Sequence, residues 1–452
     1  MSTLTWQWII LIAVNVVLFW VSPWSNKVND FFRGSHNDKP PSAFLLTSSL
    51  VICWLFAKSI TNAADLGYQF GIVGGVAYAG YYLSFLVAGV IIYRMRTKGQ
   101  YKSIHHFLQT KYGKGAIFLF TILIGFRLLN EIWSNTMIVG SYFGEKGSMP
   151  YFASLTVFTL LTLAYTLKGG MRTSIITDLI QMAFFVLLMV IILGIIIPET
   201  DGGVKTLVQS GEWSMAQGVN LFLVALIQVL SYPFHDPILT DRGFIASPKN
   251  TLKSYLWATV IGASCIILFS FVGIFAKIRG LDAPATIGVA KFFGTILLLV
   301  MNTIMLTSAA ATIDSTFTST AKLVHIDLLN EKGISVSKAR LTMIAIAVFG
   351  TIPIFFNPEI LSATTISGTM VMGLAPIFVF WNLDAPKISY FASVILGMVF
   401  GFWLVFYPVP TFMLLSEGKY ADLLSINLFG TIACFIVFLL PILFKKKIES
   451  TF

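Results

Sequence analysis

Residues 231–242 read Ser231-Tyr-Pro-Phe-His-Asp-Pro-Ile-Leu-Thr-Asp-Arg242. Pro233 and Pro237 each remove a backbone donor and clash with the preceding turn, so no helix runs smoothly through both. The stretch nevertheless closes an apolar run that begins near residue 216. The prolines alone could equally kink a structural helix. His235 and Asp236 between them favour a break with a purpose, because a charge at such depth is costly. A second stretch, Trp54-Leu-Phe-Ala-Lys-Ser-Ile-Thr-Asn-Ala-Ala-Asp-Leu-Gly67, also carries polar groups inside an apolar span, with Lys58 near its middle.

Around these stretches the chain is strongly apolar. Of its 452 residues 56% are hydrophobic and 11% charged, and mean hydropathy is +0.83. A soluble domain carries about 25% charged residues, so the solvent of this chain is a bilayer. Spanning segments there are helices or closed barrels, since every backbone polar group must be paired internally. Barrel strands alternate over about 10 residues. The runs here, such as Met182 to Ile197 and Ile426 to Phe444, are continuous and longer, which means helices. The expected fold class is an all-α membrane protein.

The net charge of +10 could suggest nucleic acid, but basic loops facing the cytoplasm explain it better, and no nucleic-acid partner is expected. Cys53, Cys265 and Cys434 lie in apolar runs without metal or disulfide spacing and read as packing residues. The N-terminal segment lacks the basic region and small-residue cleavage site of a signal peptide and reads as a retained helix.

Thirteen spans are expected: 6–22; then 43–67, 71–95, 115–142, 149–167 and 173–198; then 216–238, 251–276, 287–326, 338–356 and 358–381; and finally 389–409 and 424–444. The corresponding units are 1–42, 43–198, 216–381 and 387–452. With the N-terminus outside, one face receives Lys27, Arg33, Lys39, Arg94, Arg96, Lys98, Lys102, Lys111, Lys114, Lys168, Arg172, Arg242, Lys249, Lys253, Lys322, Lys332, Lys338, Arg340, Lys387 and Lys445 to Lys447. The other receives Lys146, Lys205, Lys277, Arg279 and Lys419, with Lys291 near it. The rule that Lys and Arg favour cytoplasmic loops then puts the C-terminus in the cytoplasm, in a plasma (inner) membrane.

Five helices followed by five means that the second block enters from the opposite side, the pattern of an inverted repeat. The two polar stretches open the two blocks. Interrupted helices at corresponding repeat positions point to a central binding site, where freed carbonyls ligate a cation and freed N–H groups meet an anionic group. No nucleotide loop is evident, so transport would draw on an ion gradient.

Other polar groups also lie at depth. Thr307 to Thr320 is rich in oxygen, with Ser308, Ala311, Thr312, Ser315 and Ser319 on one helical stripe and Asp314 beside it. Hard cations take several oxygen ligands, although hydroxyls also join helices. Asp178, just inside the cytoplasmic end of a span, is either an interfacial acid or a cation ligand. Arg127 and Glu131, four apart, can pair on one helix. Lys58 needs an acid, and Glu131, Asp236 and Asp314 are its candidates.

At these residues the chain resembles the sodium/solute symporter family, which includes sodium-coupled proline, sialic acid, sugar and urea carriers. The match rests on Gly169-Gly170-x6-Thr177-Asp178-x2-Gln181 and on Ser308-Ala-Ala-Ala-Thr-Ile-Asp-Ser315 with Asp327 beyond. It covers roughly 43–381, and the first core helix is most similar to the urea branch. The resemblance implies a leucine-transporter type 5+5 inverted repeat with one extra N-terminal and two extra C-terminal helices. It implies Na+ as coupling ion. The family's general sodium site, carried over, takes carbonyls of Ala57, Ile60 and Ser308 and the hydroxyl of Thr312. Ala311 stands where the family usually has a second hydroxyl. A further cation site maps to Asp178, Asp314 and Ser315.

Lys58 also departs from the family pattern, and its side chain is expected to turn away from the sodium site into a pair with an acid. Solute would lie between the broken first and sixth core helices and the facing third and tenth, near Asn62, Asn130, His235, Asp236, Thr365, Ser367 and Thr369. Mixed charge there suits a small polar or zwitterionic solute: amino-acid-like, sugar or urea-like. A proton-coupled or uncoupled carrier, or a non-transporting membrane sensor, are the alternatives. Neither an enzyme nor an obligate protein partner is suggested.

Overall fold

Long apolar segments satisfy their backbone groups within themselves as helices, and helix is the dominant structure among the described residues. The computed structural model describes residues 1–449 apart from 38, 283, 330–333 and 357–366, with the backbone alone for 445–449. Among the described residues there is no β-strand. Ten helices are long and apolar enough to cross a membrane, or eleven if one bent pair is a single span.

They are, in order, α1 (Thr3–Val21), the bent pair α2 (Ala43–Trp54) and α3 (Ala57–Phe70), α4 (Ile72–Thr97), α5 (Lys114–Ser141), α6 (Met149–Gly169) and α7 (Met171–Ile196). The second half holds the short α8 (Val219–Gln228) and α9 (Pro237–Arg242), then α10 (Pro248–Ile278), α11 (Thr295–Lys322), α12 (Val336–Thr351), α13 (Ser367–Val379), α14 (Lys387–Phe406) and α15 (Ala421–Phe444). α8 and α13 are apolar but shorter than the long helices. They stand where two of the thirteen expected spans were placed, so that count does not follow from helix length.

Local sequence explains the helix starts. Ser42, Ser148 and Ser247 cap α2, α6 and α10 by accepting backbone N–H groups. Pro248 follows as the first residue of α10, where its missing donor is not needed. Gly170, at φ +58°, makes the turn between α6 and α7, and a Cβ there would lie 2.5 Å from the Phe31 carbonyl oxygen. At Gly169 a Cβ would lie 2.4 Å from Pro23 O. The paired glycines of the motif thus seat the loop after α1 against the α6–α7 corner.

α11 lies at the centre and α1 at the edge: 72% of the apolar window of α11 is buried, against 22% for α1. α3 and α10 cross at backbone contact. A Cβ on Gly273 would stand 1.6 Å from Ala64 O, and one on Gly67 2.3 Å from Ser270 O. Small residues at such crossings let backbones approach where lipid offers no hydrophobic drive.

A candidate solute and cation site at two helix breaks

Two helices are interrupted in the interior, and the site is built between them. α2 ends at Trp54 and α3 begins at Ala57, with a bend of 59°. α8 gives way to a 3-10 turn at Tyr232–His235 and restarts as α9 at Pro237. Pro233 and Pro237 account for the second break. The first has no proline, and its step falls at Leu55–Phe56, ahead of Lys58.

Asp236 shows why the second break is stable. Its Oδ1 caps α9 by accepting from Ile238 N at 3.0 Å and Leu239 N at 3.3 Å. Its Oδ2 accepts from Arg127 Nη2 at 3.0 Å and Trp54 Nε1 at 3.1 Å. One carboxylate therefore ties together both breaks and α5. Arg127 also pairs with Glu131 one turn on. Glu131 in turn accepts from Lys58 Nζ at 3.1 Å and from Asn135 Nδ2 at 2.9 Å. Of the three acids considered for Lys58, Glu131 is the one the structure places against it. Asn135 Oδ1 accepts the Lys58 backbone N–H at 3.1 Å, which holds the first turn of α3. The four charged side chains are at most 2% exposed. Two cations and two anions so arranged are neutral as a set.

Beside this cluster lies a narrow cleft of about 10 Å³, lined by Trp54, Phe56, Ser59, Tyr78, Tyr81, Tyr82, Arg127 and Tyr232. Asn62 reaches its wall, donating to the Tyr78 hydroxyl at 3.2 Å. His235 turns its Nδ1 to Tyr232 O at 2.5 Å and sets its ring edge-on to Tyr232. Asn130 is buried on α5, where its carbonyl accepts from Ser134 Oγ. Thr369 faces elsewhere: Asn427 donates to its hydroxyl at 3.1 Å and Gln228 at 3.4 Å. It joins α13 to α15 and α8. Ser367 opens α13 half-buried, and Thr365 lies outside the described residues. Phe234 stacks on Phe378 at 4.0 Å, which joins the sixth core helix to the tenth.

The residues expected to ligate a cation separate into two groups. Thr312 Oγ1 lies 3.3 Å from Cys53 O and 3.2 Å from Ser308 O. Cys53 is in the last turn of α2, whose carbonyls have no helical partner. Ala57 and Ile60, expected to supply carbonyls, lie in the opening turns of α3, and the first-helix carbonyl that faces Thr312 is that of Cys53. The Ala311 carbonyl is 3.7 Å from Cys53 Sγ. The Ser308 hydroxyl is fully buried without a hydrogen-bond partner. Neutral carbonyl and hydroxyl oxygens with one orphaned hydroxyl fit a hard monovalent cation.

Asp178, Asp314 and Ser315 do come together, but around a side chain counted from sequence as a loop residue. Arg242 is fully buried. Its Nη2 donates to Asp178 Oδ2 at 3.1 Å and Ser315 Oγ at 2.8 Å, its Nε to Ser49 Oγ at 2.6 Å, and its Nη1 to Ile238 O at 3.0 Å. Asp178 also accepts from Ser49 at 2.5 Å. Asp314 accepts from Tyr165 and Ser174 at 2.9 Å and from Thr177 at 3.1 Å. With both acids ionised this group carries one negative charge in excess. Removing Arg242 from the cytoplasmic tally leaves the charge bias in place.

Sequence reasoning missed Arg242, Cys53, Asn135 and the tyrosine wall. The signal for the wall was available in Tyr78, Tyr81 and Tyr82, which recur at helical spacing. Arg242 follows Pro237 too closely to have left the bundle.

No family model matches the chain. Over 238 residues it is 23% identical to the urea active transporter of Saccharomyces cerevisiae, a match covering 47% of this chain and 32% of that protein. The chain thus spans about a third of that relative's length. The likeness to solved structures is far more extensive. A Na+-coupled sialic acid symporter in a substrate-bound outward-open state superposes with a TM-score of 0.72 at 16% identity, over 97% of this chain and 96% of that one. The fold is that of the leucine-transporter type carriers. A nucleobase-cation-symport-1 family transporter, closed on bromovinylhydantoin, gives 0.60 at 12% identity over 93% and 97%. MhsT in complex with L-phenylalanine gives 0.58 at 12% over 89% and 99%. The first two of these structural relatives are a symporter and a transporter.

Proposed function

We propose that the chain is a secondary active transporter that carries a small polar organic solute together with Na+ by alternating access. The observation that carries this reading is the meeting of Thr312 with the freed Cys53 carbonyl, beside a cleft walled by both broken helices. Sodium bound there would stiffen the first break, and solute in the cleft would draw on both breaks at once. The names of the relatives support this: one is a Na+-coupled sialic acid symporter and another a urea active transporter. In this reading the blocks 43–198 and 216–381 are inverted repeats, each opened by a broken helix, and thirteen segments cross. The N-terminus is outside and the C-terminus cytoplasmic, in the plasma (inner) membrane. The chain needs no obligate protein partner.

A second reading, proton coupling, is favoured by the excess charge around Asp178, Asp314 and Arg242, which a proton could neutralise as well as a cation. A thermal-stability screen of small solutes with and without sodium separates the two, because a ligand that binds the folded state raises its stability by mass action. Sodium coupling predicts a solute whose stabilisation requires sodium. Stabilisation indifferent to sodium, with uptake that collapses when a pH gradient is removed, contradicts it.

A further inference from the structure

A cavity of about 900 Å³ opens at the end of the bundle that carries the basic loops, and it shares no lining residue with the tyrosine cleft. Five Lys or Arg side chains line it against two acids. Both acids, Asp241 and Asp327, are taken by one of the five, Lys322. The other four, Arg33, Arg96, Lys102 and Lys114, form no ion pair among the described residues. Arg96 donates to Gly243 O at 2.8 Å, Ala246 O at 2.6 Å and Thr251 Oγ1 at 3.0 Å. Those acceptors are neutral, so the guanidinium is held in place with its charge unbalanced. His106 adds a donor to the wall. Its Nδ1 accepts the Lys102 N–H at 3.3 Å, which leaves the ring proton on Nε2. The cavity is therefore an anion site in its charge.

It also holds an acceptor. His105 lines the same space at 8% exposure, and its Nε2 is buried without a hydrogen-bond partner. Its Nδ1 faces Asp327 Oδ2 at 3.7 Å, which favours the proton on that nitrogen. Burial holds the His105 pKa below the ordinary histidine value, with Asp327 opposing and Lys322 assisting. The ring is then neutral near neutral pH, and Nε2 presents a lone pair to the cavity. A ligand that satisfies the whole wall carries a negative charge and a hydroxyl.

The remaining wall is apolar and leads along the outside of the bundle. Phe118 lines the cavity and is 71% exposed. Ile122 and Phe126, also exposed, follow it at intervals of four on α5. Residues four apart share a helix face, so one apolar stripe runs from the cavity mouth up the flank of α5. A soluble phosphate compound would use the cations and leave this stripe bare, whereas a lipid uses both. Basic pockets between helix ends are suited to anionic headgroups.

We propose that this cavity binds an anionic phospholipid with a hydroxyl-bearing headgroup, of the phosphatidylglycerol type. Its phosphate meets Arg33, Lys102, Lys114 and His106, its hydroxyl donates to His105, and an acyl chain lies along Phe118, Ile122 and Phe126. The proposal stands apart from the carrier reading, since it concerns a site for lipid and not for solute.

The test is thermal stability of the full-length protein in detergent, titrated separately with phosphatidylglycerol, phosphatidylmethanol, phosphatidylcholine and soluble glycerol 3-phosphate. Saturable stabilisation by phosphatidylglycerol is expected, with none from phosphatidylcholine or glycerol 3-phosphate over the same range. Phosphatidylmethanol keeps the charge and lacks the hydroxyl, so it should need about three- to tenfold more lipid for half its effect. Lys102 and Lys114 are exposed. Lys102→Gln combined with Lys114→Gln should raise the half-maximal phosphatidylglycerol concentration at least about tenfold. Lys249→Gln combined with Lys253→Gln removes two charges from a separate groove and should leave it unchanged. Should the first pair fail to fold, the lipid series on the unmodified protein still decides. Equal losses in the two double variants overturn the site, because general surface attraction then accounts for the effect. Glycerol 3-phosphate acting as strongly as the lipid overturns the lipid assignment, and phosphatidylmethanol matching phosphatidylglycerol overturns the hydroxyl contact with His105. Stability indifferent to every lipid overturns the proposal outright.

Discussion

Glu131 accepts from Lys58, Arg127 and Asn135, and this makes the members of the buried cluster unequal. Removing the acid leaves Lys58 without a partner, whereas removing Lys58 leaves Glu131 with two. Taking one partner from a buried ion pair costs about 3–5 kcal/mol, much of it the charge left behind. Glu131→Gln should therefore lower the melting temperature in detergent by clearly more than Lys58→Met, and equal losses would contradict this division. Thr312 is the corresponding test of the proposed cation site. Thr312→Val removes one oxygen at nearly constant volume and should raise the sodium concentration for half-maximal uptake by at least about tenfold, since one ligand to a charged group is worth about 1.5–3 kcal/mol. An unchanged sodium dependence would remove Thr312 from the site. Asp178, Asp314 and Thr312 stood out in the sequence as candidates because oxygen-bearing side chains are conspicuous in an apolar span. Cys53 was not, because it contributes its carbonyl, which every residue possesses and only a local unwinding exposes.

The helices carry a second set of consequences. α3 and α10 touch through glycine, so Gly273→Ala forces a methyl group into the Ala64 carbonyl. Overpacking costs about 1–3 kcal/mol and sometimes more. This variant should show reduced monodispersity on size-exclusion chromatography, while Gly125→Ala, with nothing within 4 Å of its new Cβ, should behave as the unmodified protein. At the opposite end, Lys322 of α11 binds Asp241 of α9 at 2.5 Å and Asp327 at 3.0 Å. His105, on the loop helix Ile104–Tyr112, stands 3.7 Å from Asp327. Burial lowers the pKa of His105, with Asp327 opposing and Lys322 assisting. The folded protein thus resists a proton that the unfolded chain accepts. Stability should be full above the ordinary histidine value of about 6.5 and decline as pH falls below it. Melting curves between pH 8 and pH 5 should show this decline reduced in His105→Gln, and an identical decline would assign it elsewhere. The proline-broken helix could be read from Pro233 and Pro237. The step at Leu55–Phe56 has no such marker, because it is held by partners distant in sequence, Tyr82 on Trp54 O at 2.5 Å and Asn135 on Lys58 N.

Across the molecule, composition and the order of apolar runs were enough to anticipate an all-helical membrane fold, and the near-complete superposition on a Na+-coupled symporter agrees with it. What the linear order could not convey is which polar residues meet. Arg242 reads as the edge of a cytoplasmic loop, and only the packing of α9 against α2 and α11 carries it to Asp178. Lys58 reads as a departure from the family pattern, and only α5 shows that Glu131 takes its charge. The assembled picture is of two charge clusters, one neutral beside the tyrosine cleft and one near Thr312 that carries an excess negative charge when both of its acids are ionised. That arrangement supports the proposed carriage of a small solute driven by a cation. Concentrative uptake into proteoliposomes tests it most directly: a labelled solute found in the sodium-dependent stability screen should accumulate above its external concentration when sodium is high outside, and the accumulation should vanish when that gradient is dissipated. Uptake that merely equilibrates, or accumulation driven by a pH gradient in the absence of sodium, would contradict it.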